Sequence, residues 1–96
     1  MTMVAITRFQ AEPADAEEVQ ARHTTLVSTV RSLTDGLSEA RLGRLDDRTW
    51  VGIWRWDSAE HLQAVRRQVA DRPEAAAAFA LVSDVTAEEV QIVDEQ

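Results

Sequence analysis

The eight residues TWVGIWRW, from Thr49 to Trp56, decide the fold of this chain. Successive side chains of a strand point to opposite faces, so the three tryptophans share one face while Val51 and Ile53 lie on the other. A strand that is apolar on both faces is typical of the middle of a sheet that is covered on both sides. We therefore predict that this segment is a central strand.

The segments on either side of this strand alternate between strand and helix patterns. Met3–Phe9 is rich in apolar and β-branched residues and is also apolar on both faces, which indicates a second central strand. From Pro13 to the stop signal at Asp35-Gly36, apolar residues recur at helical spacing. The remaining predicted elements are a strand over Leu37–Leu45, a helix that begins at Asp57 and ends before Pro73, a short alanine-rich helix, and a strand over Glu89–Asp94.

The resulting order, βαββαβ, predicts a ferredoxin-like α+β fold with one antiparallel four-stranded sheet. A length of 96 residues is that of one domain, which we place over residues 1–96. Both helical crossovers lie on the same side of such a sheet, so the helices cover one face only. We expect the same face of a second copy to cover the other, which makes the protein a homodimer.

The composition excludes several classes of protein. Asp and Glu number 17 against 10 basic residues, a formal net charge of -7, and such a surface repels phosphate backbones and anionic lipids. We therefore expect no nucleic-acid partner and no membrane partner. The absence of cysteine and lysine excludes thiolate ligands, disulfides and Schiff-base chemistry. Because the chain has neither a signal-peptide pattern nor a membrane-length apolar run, we expect a cytoplasmic protein.

Two short motifs, together with the element order, resemble the antibiotic biosynthesis monooxygenase superfamily of dimeric α+β barrels. The first is the helix exit Arg31…Asp35-Gly36, and the second is the segment Trp56–Glu60 (WDSAE), where the family's third strand becomes its second helix. The resemblance covers nearly the whole chain. It implies two sheets packed face to face in a homodimer, and a small-molecule pocket between the sheet and the helices of each subunit.

The same resemblance implies a range of activities. Characterised members of the family include cofactor-free oxygenases that convert phenolic polyketides to quinones, and enzymes that degrade haem. The haem degraders are a poor match, because they use an Asn on the first strand and a His in the middle of the second helix. This chain has no Asn, and it has Val65 and Arg66 in the middle of that helix.

The third strand supplies the first candidates for a ligand site, on the face that the helices are expected to cover. Gly52 lies between Trp50 and Trp54 on that face and leaves a gap where a side chain would pack. A groove walled by the indoles of Trp54 and Trp56 suits a flat aromatic ligand. The alternative is a structural slab of core tryptophans.

Two histidines and one arginine are the candidates for polar chemistry. His23 falls in the middle of the apolar helix stripe, where it is either a core residue bonded to backbone or water, or a pocket base. Arg66 is either part of a solvated face or the group that binds an acidic part of the substrate. His61 is either exposed or on the pocket rim. No close-spaced set of ligands predicts a metal site, and we expect none.

Together with the resemblance, these residues predict a cofactor-independent monooxygenase that acts on an aromatic or polyketide-like small molecule between the sheet and the helices. His23 is the predicted catalytic residue, and Trp54, Trp56, Gly52 and Arg66 are the predicted substrate-binding residues. We expect no cofactor. Two other functions stay open: a non-catalytic small-molecule-binding or stress-related dimer, and an isomerase that uses the same pocket.

Overall fold

The two strands predicted to be central lie in the middle of the sheet in the computed structural model, which describes residues 2–96. The strand order is β2-β3-β1-β4, and every pair is antiparallel. The ferredoxin-like α+β fold is confirmed. The elements are β1 (Met3–Gln10), a 3-10 turn (Pro13–Asp15), α1 (Ala16–Leu33), β2 (Leu37–Arg44), β3 (Thr49–Trp56), α2 (Ala59–Val69), α3 (Pro73–Ala80) and β4 (Ser83–Gln91).

The register between β1 and β3 places the tryptophans of β3 under the helices, as predicted. Ala5 pairs with Trp54, and Thr7 pairs with Gly52. Trp56, with only 2% of its surface exposed, packs against α1 and α2 in the larger core cluster. Trp50 forms a second cluster with residues near the start of α1. The helices therefore cover one face of the sheet.

The last strand begins earlier than its sequence pattern indicates. We expect it over Glu89–Asp94, whereas β4 begins at Ser83 and ends at Gln91. Every residue of β4 is exposed, so no apolar alternation marks its first half. A bulge lies opposite Phe9, where Asp84 has a positive φ of 52°. Because of these features, the residue pattern does not indicate the first half of this strand, which pairs with β1 through its backbone.

The second helix begins two residues later than predicted, at Ala59 and not at Asp57. The backbone N–H of Asp57 donates to the Gly36 carbonyl at 2.8 Å and holds this residue at the end of the sheet. Ser58 is the N-cap, and its hydroxyl oxygen accepts from the His61 backbone N–H at 3.2 Å. Its hydroxyl also lies 2.7 Å from Nδ1 of His61. His61 therefore closes the first turn of α2.

Gly36→Ala is expected to destabilise the fold, because a Cβ at position 36 would lie 2.4 Å from Cγ of His61. Such overpacking costs about 1–3 kcal/mol of unfolding free energy. Urea denaturation of the purified variant measures the loss. Adding His61→Ala should recover only part of it, because the ring is removed but the Cβ at position 61 would still lie 2.6 Å from the new one. The matched control is Gly52→Ala, whose Cβ meets no atom closer than 3.9 Å. If Gly36→Ala is as stable as the unmodified chain, the contact is not as described.

The other face of the sheet carries an apolar row without a helix on it. Ile6 pairs with Ile53, and Val4 pairs with Val90, on the side away from the cores. Ile53 is 40% exposed and Val90 is 39% exposed. All three helices pack on the opposite face. Within residues 2–96, no helix has the length and apolarity needed to cross a membrane.

Candidate functional site

A cavity of about 260 Å³ lies between the sheet and the three helices. Its walls come from the inner face of β1 and β3 and from one side of each helix, and most of the side chains that line it are apolar. All five residues that the sequence singles out as a site border this one cavity: His23, Gly52, Trp54, Trp56 and Arg66. The alternation of β3 and the stripe of α1 bring four of them together, and Arg66 reaches the cavity from α2.

Trp54 and Trp56 form one wall of the cavity. Their ring centroids are 6.3 Å apart, and the ring planes are inclined by 35°. Trp56 belongs to the buried core, whereas Trp54 is only partly buried and packs at its edge. The structural and the ligand-binding readings of these tryptophans therefore apply to different rings: Trp56 anchors the core, and Trp54 is the more accessible surface.

Gly52 leaves open the floor between these side chains. A Cβ built at position 52 would lie 3.9 Å from the Thr7 carbonyl oxygen and 3.9 Å from Nε1 of Trp54. Both are ordinary van der Waals distances, so an alanine would fit. A longer side chain would extend into the space that the cavity and the Trp54 indole share.

His23 projects from α1 and binds the edge of Trp54. The indole Nε1–H of Trp54 donates to Nε2 of His23 at 3.0 Å, and the two rings meet edge to face with centroids 5.6 Å apart. Indole nitrogen is a donor only, so Nε2 is the acceptor and carries no proton. Burial lowers the pKa of His23 below its ordinary value. The imidazole is therefore neutral near pH 7.

Acidification is expected to lower the free energy of unfolding, because His23 is protonated more readily in the unfolded chain. Because its folded pKa lies below the ordinary value of about 6.5, the unfolded chain binds more protons as the pH falls through that value. The stabilisation is complete above the unfolded pKa, and it declines by up to about 1.4 kcal/mol per pH unit as the pH falls toward the folded pKa. Urea denaturation from about pH 7.5 to about pH 5.5 should show a larger loss for the unmodified chain than for His23→Gln. Equal losses would contradict this prediction, since the two proteins differ only at position 23.

Arg66 borders the cavity from α2, and its guanidinium makes an ion pair with Glu89 of β4. Both side chains are partly exposed, so the pair is worth about 0–1 kcal/mol. A guanidinium held this weakly can exchange one carboxylate for another. Glu89 is thus the residue that pairs with the predicted anion-binding group.

His61 does not reach the cavity, and its side chain is exposed at the start of α2. Within residues 2–96, no group of three or more His, Asp or Glu side chains could hold a metal ion. Of the two histidines, only His23 lines the site.

An open groove on the other side of His23 was not predicted from the sequence. This groove has a volume of about 390 Å³ and runs between α1 and the inner face of β2 and β3. It is bordered by Gln20 and Thr24 of α1 and by Arg44, whose guanidinium carbon lies 4.8 Å from the ring centroid of Trp50. The alternation of β2 is a usable signal, because it places Arg44 on the same face as Leu42.

The sequence was compared with models of protein families and with curated proteins. A family model described as antibiotic biosynthesis monooxygenase matches residues 2–80. No curated protein matches the sequence significantly.

Several solved structures share the fold. SnoaB of Streptomyces nogalater, a cofactor-independent oxygenase, is 21% identical with a TM-score of 0.75, over 98% of this chain and 95% of its own. Rv0793 of Mycobacterium tuberculosis is 21% identical with a TM-score of 0.78, over 99% and 98% of the two chains. A Caulobacter crescentus protein provisionally named an antibiotic biosynthesis monooxygenase is 16% identical with a TM-score of 0.82, over 97% and 91%. At these identities the likeness shows a common fold.

Proposed function

The chain belongs to the antibiotic biosynthesis monooxygenase family, and we propose that it is a cofactor-independent monooxygenase acting on an aromatic or polyketide-like small molecule. The observation that carries the proposal is the apolar cavity in which the indoles of Trp54 and Trp56, the gap at Gly52 and the imidazole of His23 meet. The similarity in fold to SnoaB, a cofactor-independent oxygenase, supports the type of reaction.

The size of the cavity limits the substrate. Its volume of about 260 Å³ lies just below the roughly 300–1,000 Å³ that is usual for ligand pockets. Two or three fused rings suit this space better than a long polyketide chain. Flat rings are favoured because the indole of Trp54 offers a face for stacking.

The proposed reaction needs no external reductant. A phenol bound as its anion is electron-rich enough to reduce O₂ directly. One oxygen atom bonds to the ring carbon para to the phenolic oxygen, and the other leaves as water with the phenolic and ring hydrogens. All four electrons come from the substrate, which becomes a quinone. The chain contributes a dry, apolar enclosure and holds the substrate in place.

Two side chains of the cavity have the chemistry to contact the phenolic oxygen. His23 is the proposed catalytic residue, because its imidazole is the polar group between the indole wall and the open groove. Arg66 is proposed to bind an anionic group of the substrate, which would replace Glu89 as its partner. Trp54, Trp56 and Gly52 are proposed to shape the site.

We also propose that two copies pack through the outer faces of their sheets. The apolar row that includes Ile6, Ile53 and Val90 supports this, because exposed apolar side chains grouped on an uncovered sheet face are typical of an interaction surface. A second copy offers the same row, as a two-fold interface requires. The net charge of -7 makes nucleic acids and anionic membranes poor competitors for this surface. The cytoplasmic location remains a prediction.

Oxygen uptake tests the proposed activity. Purified protein, treated with EDTA and given no cofactor, is mixed with 1-naphthol or anthrone in air, and an oxygen electrode follows uptake above autoxidation. Labelled O₂ should place one labelled atom in the quinone and one in water. Binding that quenches tryptophan fluorescence without uptake would favour the non-catalytic dimer. Conversion under nitrogen would favour the isomerase.

A further inference from the structure

The hydrogen bond between Trp54 and His23 fixes which nitrogen of the imidazole carries the proton. Nε2 of His23 lies 3.0 Å from the indole nitrogen, which can only donate. A proton on Nε2 would set two donors against each other at that distance. Neutral imidazole carries one proton, so the proton is on Nδ1. The lone pair that a general base would use is occupied by the indole.

The Nδ1–H group of this tautomer has no hydrogen-bond acceptor among the described residues around His23. The imidazole borders both the apolar cavity and the open groove. Within residues 2–96, no acceptor for Nδ1–H is found. The other charged side chains that face these two spaces are Arg66 from α2 and Arg44 from β2, and both are cations. Neither can accept a hydrogen bond.

We propose that Trp54 is a positioning residue that holds His23 as its neutral Nδ1–H tautomer, so that His23 donates a hydrogen bond to an acceptor oxygen of the ligand, a carbonyl or a phenolate. The inference rests on the proposed function for the identity of the site. It adds that the site selects ligands with an acceptor oxygen. A phenolate reaches the site already ionised, and Nδ1–H stabilises its charge where a base would remove a proton.

Nitrogen NMR of the ligand-free protein tests the tautomer without any activity measurement. In protein labelled with ¹⁵N-histidine, long-range correlations at about pH 7.5 should show a pyrrole-type shift for Nδ1 of His23 and a pyridine-type shift for Nε2. His61→Gln assigns the signals, because the chain has two histidines. A protonated Nε2, or an imidazolium, would overturn the proposal.

Trp54→Phe isolates the indole hydrogen bond, because it keeps an aromatic ring and removes the donor. The pyrrole-type signal should shift toward a mixture of both tautomers, and the pKa of His23 should rise. An unchanged His23 spectrum in the folded variant would show that Trp54 does not hold the tautomer. A variant that fails to fold leaves the measurement on the unmodified protein as the deciding one.

A pair of matched ligands tests the donor role. 1-Tetralone carries a carbonyl oxygen that can only accept, and tetralin has the same rings without it. Fluorescence titration of the unmodified protein and of His23→Leu gives four dissociation constants. The preference for tetralone should be about fivefold greater in the unmodified protein, the effect of one neutral hydrogen bond. Equal preferences in the two proteins would overturn the donor role. Because neither ligand needs to react, a failed oxygen-uptake assay leaves this result independent.

Discussion

Gly52→Leu is expected to abolish ligand binding in the cavity between the sheet and the helices while the chain stays folded. The added side chain starts 3.9 Å from Nε1 of Trp54 and has only the cavity to occupy. It fills the space that a flat ring needs, and it pushes the indole away from His23. We expect the affinity for 1-naphthol to fall by about 100-fold or more, equivalent to about 3 kcal/mol.

Gly52→Ala is the matched control for this prediction. Its Cβ makes only ordinary contacts, so the affinity should change by about fivefold or less, which corresponds to about 1 kcal/mol. Tryptophan fluorescence gives the affinities, and circular dichroism with urea denaturation shows that both variants fold. If Gly52→Leu binds as well as Gly52→Ala, the ligand does not occupy this cavity.

Ile53→Glu is expected to convert the proposed homodimer to monomers. Ile53 lies on the outer face of β3, opposite Ile6 of β1, at the centre of the apolar row that we propose as the interface. A two-fold interface places two copies of each residue in it, so one substitution buries two carboxylates. Each unpaired buried charge costs several kcal/mol, which is enough to separate most dimers of this size.

Light scattering measures the change. The unmodified protein should have twice the 10.7 kDa mass of the chain, and Ile53→Glu should have the mass of one chain. Phe79→Glu is the control, because Phe79 is also an exposed apolar residue, at 51%, but lies in the helical layer. That variant should remain a dimer. A monomeric unmodified protein at micromolar concentration would contradict the interface itself.

The central strands were predictable because their residue patterns fit only the middle of a sheet. An alternating segment with apolar residues on both faces, such as Thr49–Trp56, fits the middle of a covered sheet and nowhere else in a small domain. The edge strand β4 has no such constraint, because every residue in it is exposed and its pairing depends on backbone hydrogen bonds. Its start at Ser83 was therefore missed.

The candidate site was predictable as a set of residues and not as a set of bonds. Periodicity places His23 and Trp54 on facing surfaces, but it does not say that Nε1 of one meets Nε2 of the other across 31 positions of sequence. The pairing of Arg66 with Glu89 was hidden for the same reason, since it depends on where β4 lies against α2. Contacts between elements are set by packing distances that no single segment contains.

The alternation of β3 also lets its two faces change independently during evolution. Even-numbered positions such as 52 and 54 face the cavity under the helices, and odd-numbered positions such as 51 and 53 face the outer surface. Substitutions at one set can reshape the cavity while the other set, and the proposed dimer that depends on it, is left alone. A single inserted or deleted residue within the strand would exchange both sets at once. Related sequences can therefore differ in the residues of β3 far more freely than in its length.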